Sequence, residues 1–116
     1  MKVKRVVANI QASNPSDVDD FYQVILGLEI AMDHGWIRTY AGPDQMTVQI
    51  SFASQGGSDT LAPDLSIEVD DLDEALRRVK EAKIPLEYGP AHEPWGVRRF
   101  YVRDPLGKLI NILQHE

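Results

Sequence analysis

The feature that most restricts the fold of this chain is a repeat. Residues 3–12, "VKRVVANIQA", alternate with a period of two, with Val6, Ala8, Ile10 and Ala12 on one face and Arg5, Val7, Asn9 and Gln11 on the other. The next stretch, "SNPSDVDDFYQVILG", predicts a helix over 14–27. Asn14 is placed to cap it, Pro15 suits its first position and Asp17 its positive first turn; Val18, Phe21, Tyr22 and Ile25 share a face, and Gly27 provides a left-handed stop. The same order returns in "DLSIEVDDLDEALRRVKEAKIP". Leu65, Ile67 and Val69 lie on one face and Asp64, Ser66 and Glu68 on the other. Asp71 then caps a helix with Glu74 at the reciprocal capping-box position. Leu72, Ala75, Leu76 and Val79 form its buried stripe, and Pro85 prevents its continuation. Val7 and Asp64 each lie seven residues before their caps, which makes them structural equivalents.

Further strand-like runs follow each helix: 29–32, 36–41 and 46–53, then 86–89, 97–103 and 108–114. Each half therefore reads β-α-β-β-β. The expected organisation is one domain over 1–116, made of a module at 1–53 and a module at 62–116, joined by a Gly/Ser-rich linker at 54–61. One helix covers one side of each sheet. The opposite side, bearing Val7, Asn9, Gln11, Asp64, Ser66 and Asn111, is left to line a cup if the sheets curl. The fold class is α+β, two βαβββ modules with mixed sheets that form a cup if they curl.

Composition narrows the function. Twelve basic against 18 acidic residues give a net charge of −6, which argues against a nucleic-acid partner and favours a neutral or cationic small ligand. The absence of cysteine excludes disulfides, thiolate metal sites and cysteine nucleophiles. No run approaches the roughly 20 apolar residues of a membrane span, and "MKVKRVVANI" lacks the apolar stretch of a signal peptide. A cytoplasmic location is the expectation. No nucleophile with an adjacent base, phosphate-cradling loop or dinucleotide fingerprint occurs.

Among candidate site residues, Asn111 in "RDPLGKLINIL" stands out as an amide on an apolar strand. The "DPLG" before it is turn chemistry, so Asp104 receives no catalytic role. Trp95, beside Gly96 in a loop, can close over a ligand or pack on the sheet edge. Arg99 and Tyr101 share a strand face opposite Phe100 and Val102, and can line the cup. Trp36, Arg38 and Tyr40 alternate along another strand, with Trp36 read as core. Asp64 and Glu68 share the cup face, where a buried carboxylate can serve as a general base. His34, His92 and His115 fall in turns, loops and the chain end and are read as surface residues.

The segments "FYQVILGL", "DLSIEVDDLDEAL" and "EPWGVRRFYVRDPLGKLINIL", together with the repeat, resemble the vicinal oxygen chelate superfamily of glyoxalases, bleomycin resistance proteins and extradiol dioxygenases. That resemblance implies the βαβββ fold, a small-molecule ligand and a homodimer. In metal-dependent members it also implies a divalent ion at positions occupied here by Val7, Gln49, Asp64 and Asn111. Asp64 alone among these is charged, so the family's metal centre is read as lost and no cofactor is expected. The leading expectation is a metal-free protein similar to the bleomycin resistance group that binds a small cationic or polyfunctional molecule through Asn9, Gln11, Gln49, Asp64, Trp95, Arg99, Tyr101 and Asn111. A metal-dependent or acid–base lyase, isomerase or dioxygenase using Asp64 or Glu68 is the rival reading, and a non-catalytic structural or regulatory dimer the third.

Overall fold

A computed structural model of the chain describes residues 1–25, 27–42 and 49–116. It divides into two compact units, one formed by residues 1–6 and 63–116, the other by residues 7–62. The strand β1 (Val3–Gln11) gives its first residues to the former and the remainder to the latter.

The unit containing residues 63–116 runs β5 (Leu65–Val69), α1 (Leu72–Glu81), β6 (Tyr88–Glu93), β7 (Val97–Arg103) and β8 (Leu109–His115). Its strands lie side by side in the order β5-β8-β7-β6, with β5 and β8 parallel and the other pairs antiparallel. Asp71 caps α1 as its sequence predicts, accepting from the Glu74 N–H at 3.1 Å. The reciprocal half of the box is replaced: the Glu74 carboxylate turns to Arg77 and Arg78. Leu72 and Ala75 of α1 pack with Val69, Phe100, Val102 and Ile110, and Leu65, Ile67, Leu76, Val79 and Ile112 join from the margin. Phe100 and Leu72 are almost wholly excluded from solvent, and burying each contributes about 1.5–3 kcal/mol. This cluster occupies one side of the sheet, so the alternate residues of β5, β7 and β8 face the side without a helix.

The unit at residues 7–62 holds the rest of β1, β2 (Glu29–Asp33), β3 (Ile37–Ala41) and β4 (Gln49–Ala53), in the order β2-β3-β4-β1. β1 and β4 run parallel, whereas β3 is antiparallel to β4 and to β2. The strand expected over 46–53 is seen from Gln49, its first three residues lying outside the described ones.

The helix expected over 14–27 is not a regular α-helix. It is a 3-10 turn, Pro15–Val18, followed by a π-helical stretch, Asp20–Ile25. Asn14 does not cap it. Its side chain bonds Asp17 and Ser16 instead. The wider π spacing breaks the expected apolar stripe: Tyr22 packs on Phe52 and Tyr40, with ring centroids 4.9 and 5.8 Å away, while Phe21 and Ile25 stay 52% and 69% exposed. Asp19 explains much of the departure, because Tyr40 and Arg38 on β3 both bond its carboxylate and fix the chain where the two turns meet.

Candidate functional site

The helix-free face of the 63–116 unit is built rung by rung from cross-strand partners. Ser66 on β5 lies opposite Asn111 on β8, which lies opposite Tyr101 on β7, which lies opposite Tyr88 on β6. The rung is neutral and rich in hydrogen-bonding groups. Asn111 is 6% exposed and donates through Nδ2 to Ser66 Oγ at 3.1 Å, while its Oδ1 is buried without a partner. An unmet buried acceptor costs about 1–3 kcal/mol, so the apolar strand carries this amide at a loss that its packing does not explain.

One rung further, Arg99 is held in an aromatic enclosure. Its guanidinium carbon lies 4.9 Å from the Tyr101 ring centroid, 5.0 Å from Trp95 and 5.4 Å from Tyr88. Glu93 Oε1 stands 3.6 Å from Arg99 Nε and accepts from the Tyr88 hydroxyl. Both charged side chains are almost fully excluded from water, at 3% and 2% exposure. Trp95, in the turn between β6 and β7, thus covers a cation of its own chain. Gly89 makes the enclosure possible. At φ +80° any Cβ there would stand 2.5 Å from the Arg99 carbonyl oxygen and 3.1 Å from Phe100 Cα, so the strand bearing Tyr88 and Glu93 approaches β7 only because position 89 has no side chain.

The 7–62 unit repeats the neutral rung with different residues. Asn9 pairs with Ser51 and Ser51 with Thr39. The Thr39 and Ser51 hydroxyls are buried and share a 2.7 Å hydrogen bond. In register, Asn9 corresponds to Ser66, Ser51 to Asn111 and Thr39 to Tyr101. Gln49 lies two residues before Ser51 and so corresponds to Leu109. Sequence reasoning did not select Ser51 or Thr39, because no DPxG-like turn precedes β4 to fix its register as Gly107 fixes that of β8.

Arg38 and Tyr40 belong to the other face of their sheet, with Phe52, and serve packing. Hydrogen bonds from Tyr40 and then Arg38 hold Asp19 below the usual carboxylate range. Burial, and then the bond to Asp19, push the Tyr40 hydroxyl up to about 12. The Gly35 N–H, followed by Arg38, lowers Asp33 in the same way.

The remaining candidates have defined surroundings. Asp64 is exposed, and its carboxylate accepts from the Leu109 N–H at 2.9 Å, closing the end of the β5–β8 pair. Glu68 lies between two cations, 3.0 Å from Arg5 and 3.9 Å from Lys4, and 2.9 Å from His115 Nδ1. Gln11 is exposed and donates to the Ser54 carbonyl, Val7 is buried and Gln49 half-buried. His92 pairs with Glu116, and His34 stacks on Trp36. Glu93, the carboxylate nearest Arg99, escaped notice because β6 extends to Glu93 beyond the expected 86–89. Among the described residues no group of three or more His, Asp or Glu side chains is arranged to hold a metal ion, and no helix is long and apolar enough to cross a membrane.

Two βαβββ units, each with a neutral hydrogen-bonding rung on its helix-free face, define the class of this protein. The chain belongs to the Glyoxalase/Bleomycin resistance protein/Dioxygenase superfamily, whose family model matches residues 4–112. Solved structures share the fold at low identity. A structure described as an NAD-dependent benzaldehyde dehydrogenase from Legionella pneumophila has a TM-score of 0.76 and 17% identity, covering 97% of this chain and 100% of its own. A superfamily member from Vibrio splendidus 12B01 has a TM-score of 0.66 at 19% identity, covering 97% and 99%. A variant of methylmalonyl-CoA epimerase from Streptomyces coelicolor, in complex with 2-nitronate-propionyl-CoA, has a TM-score of 0.68 at 14% identity, covering 98% and 99%. No curated protein matches the chain.

Proposed function

We propose that this chain binds a small polyfunctional molecule without a metal, through the neutral rungs of its helix-free faces. The observation that carries the reading is Asn111, a buried amide whose carbonyl oxygen has no partner among the described residues. Such an acceptor matches a ligand N–H or O–H. Ser66 and Tyr101 flank it to fix orientation, as the few aimed polar groups of a small-molecule site do.

The donor chemistry at the family's metal positions supports the metal-free part. Val7 has no donor atom, Gln49 and Asn111 offer neutral amides, Ser51, which holds the register of Asn111 in place of Gln49, offers a neutral hydroxyl, and the Asp64 carboxylate is engaged by a backbone N–H. One engaged carboxylate and two amides fit neither a first-row metal, which takes imidazole, nor Mg²⁺ or Ca²⁺, which take several anionic oxygens. Self-association into a homodimer is part of the same proposal, supported by the exposed apolar residues Phe21, Val24 and Ile25 on the π-helical stretch.

The test is a calorimetric screen of small polyfunctional compounds against the wild type, Asn111→Leu and Ser66→Ala. The reading expects at least one compound whose binding is lost in Asn111→Leu and weakened in Ser66→Ala. Binding that survives both substitutions unchanged would place the ligand elsewhere and end it.

A further inference from the structure

The net charge of −6 favours a cationic ligand at long range, yet the carboxylates on the helix-free face of the 63–116 unit are already engaged within the chain: Glu68 stands 3.0 Å from Arg5, Glu93 stands 3.6 Å from Arg99, and Asp64 accepts from the Leu109 N–H. The aromatic rings do not favour an external cation either. Tyr88, Trp95 and Tyr101 all stand around the Arg99 guanidinium, so the π surface that would attract one already serves a residue of the chain.

The ring enclosure also fixes Arg99. A guanidinium stacked on several sides keeps its plane and its fork of N–H donors, and that fork matches a carboxylate in two-point geometry. The chain itself sets a carboxylate beside this cation, Glu93 Oε1 lying 3.6 Å from Arg99 Nε as an ion pair. Burying such a charge is unfavourable unless its partners offset the loss of water. The cation also lies one rung from Asn111, on the same face.

Given the ligand-binding reading above, on which this rests, the geometry points to a ligand that carries a carboxylate, with Arg99 as its receptor and Glu93 occupying that place in the ligand-free chain. The exchange is confined to one turn. Glu93 ends β6, the edge strand of its unit, and Trp95 lies two residues on in the same turn. Opening that turn withdraws the internal carboxylate and the cover together. The links to be released include the Tyr88 hydroxyl to Glu93 Oε1, the Gly96 N–H to the Glu93 carbonyl at 3.1 Å and the Glu116 N–H to the Gly96 carbonyl at 2.9 Å. A ligand carboxylate then faces Arg99 while its own donor groups reach Asn111 Oδ1.

Trp95 reports the exchange. In the 116-residue chain carrying Trp36→Phe it is the sole tryptophan, and its emission is followed during titration with sodium benzoate and sodium succinate, against benzylammonium chloride at equal ionic strength. The expected result is a saturable change with the carboxylates and none with the cation. Glu93→Gln removes the internal competitor and is expected to tighten carboxylate binding about tenfold, the gain when the competent fraction rises from about a tenth to nearly all. Arg99→Lys keeps the charge without the fork and is expected to weaken binding about tenfold. The double variant Arg99→Gln/Glu93→Gln leaves no unpaired buried charge and is expected to bind no carboxylate while remaining folded by circular dichroism. No saturable carboxylate response in either the Trp36→Phe chain or its Glu93→Gln form, or undiminished binding in the double variant, would overturn the inference. In that event, a compound whose binding still depends on Asn111 leaves the site reading standing, whereas the loss of both ends both.

Discussion

Replacing Asn111 by leucine is expected to make the protein more stable and less functional at once. The substitution keeps the branch point at Cγ and removes two polar atoms. It forfeits the 3.1 Å bond to Ser66, a loss of about 1 kcal/mol, but relieves the unmet Oδ1, a gain of about 1–3 kcal/mol. At 6% exposure, between Leu109 and Leu113 on the same face of β8, the leucine side chain adds roughly 1.5–3 kcal/mol of apolar burial. Its larger volume returns about 1–3 kcal/mol as overpacking. The balance is a stabilisation of about 1–2 kcal/mol, or a rise in Tm of ~4–8 °C at roughly 4 °C per kcal/mol for a chain of this size. Thermal unfolding by circular dichroism, with the calorimetric screen run on the same samples, tests both halves. A fall in Tm of several degrees would refute the reasoning, because it would mean that the amide serves the fold and that its oxygen is satisfied.

Three further outcomes follow from the geometry. Gly89→Ala combines a left-handed residue, about 1–2 kcal/mol, with a backbone collision of about 1–3 kcal/mol. Gly107→Ala, at φ +78° with nothing near its Cβ, incurs the first cost alone, so equal losses in a urea titration would contradict the close approach of Gly89 to β7. Asp19 and Asp33 are held below the ordinary carboxylate range, so their contribution is complete above about pH 4 and is lost as pH falls through their lowered values. Asp19→Asn should flatten the acid limb of a Tm-versus-pH curve, and an unchanged limb counts against the Asp19–Tyr40–Arg38 network. Asp71→Ala should cost about 1 kcal/mol through the lost cap of α1; no shift in the urea midpoint would show that the observed bond to Glu74 contributes nothing.

The 63–116 unit was the more legible in sequence. Period-two alternation placed Arg99 and Tyr101 together opposite Phe100 and Val102, and a capping signal at Asp71 began α1 where it is found. The turn at Asp104–Gly107 fixed the register that puts Asn111 on the helix-free face. The 7–62 unit was less so. Its apolar pattern at Val18, Phe21, Tyr22 and Ile25 fits a 3.6-residue period, but the ties from Tyr40 and Arg38 to Asp19 are contacts across more than 18 residues, which local periodicity does not encode. Glu93 was hidden for a related reason: the Gly89 bulge in β6 shifts pairing between Tyr88 and Ala91, and only the folded strand shows that Glu93 returns to Arg99. Pairing of Ser51 with both Asn9 and Thr39 likewise depends on register across three strands.

The central claim, that neutral hydrogen-bonding groups replace a metal centre on this fold, is tested most directly by elemental analysis of protein purified without chelator, joined to calorimetric titration with Zn²⁺, Ni²⁺, Mn²⁺ and Mg²⁺. The expected result is substoichiometric metal and no saturable heat from any of the four. Stoichiometric metal that titrates back into chelator-treated protein, and whose binding is lost when Asp64 and Asn111 are replaced by alanine, would contradict it.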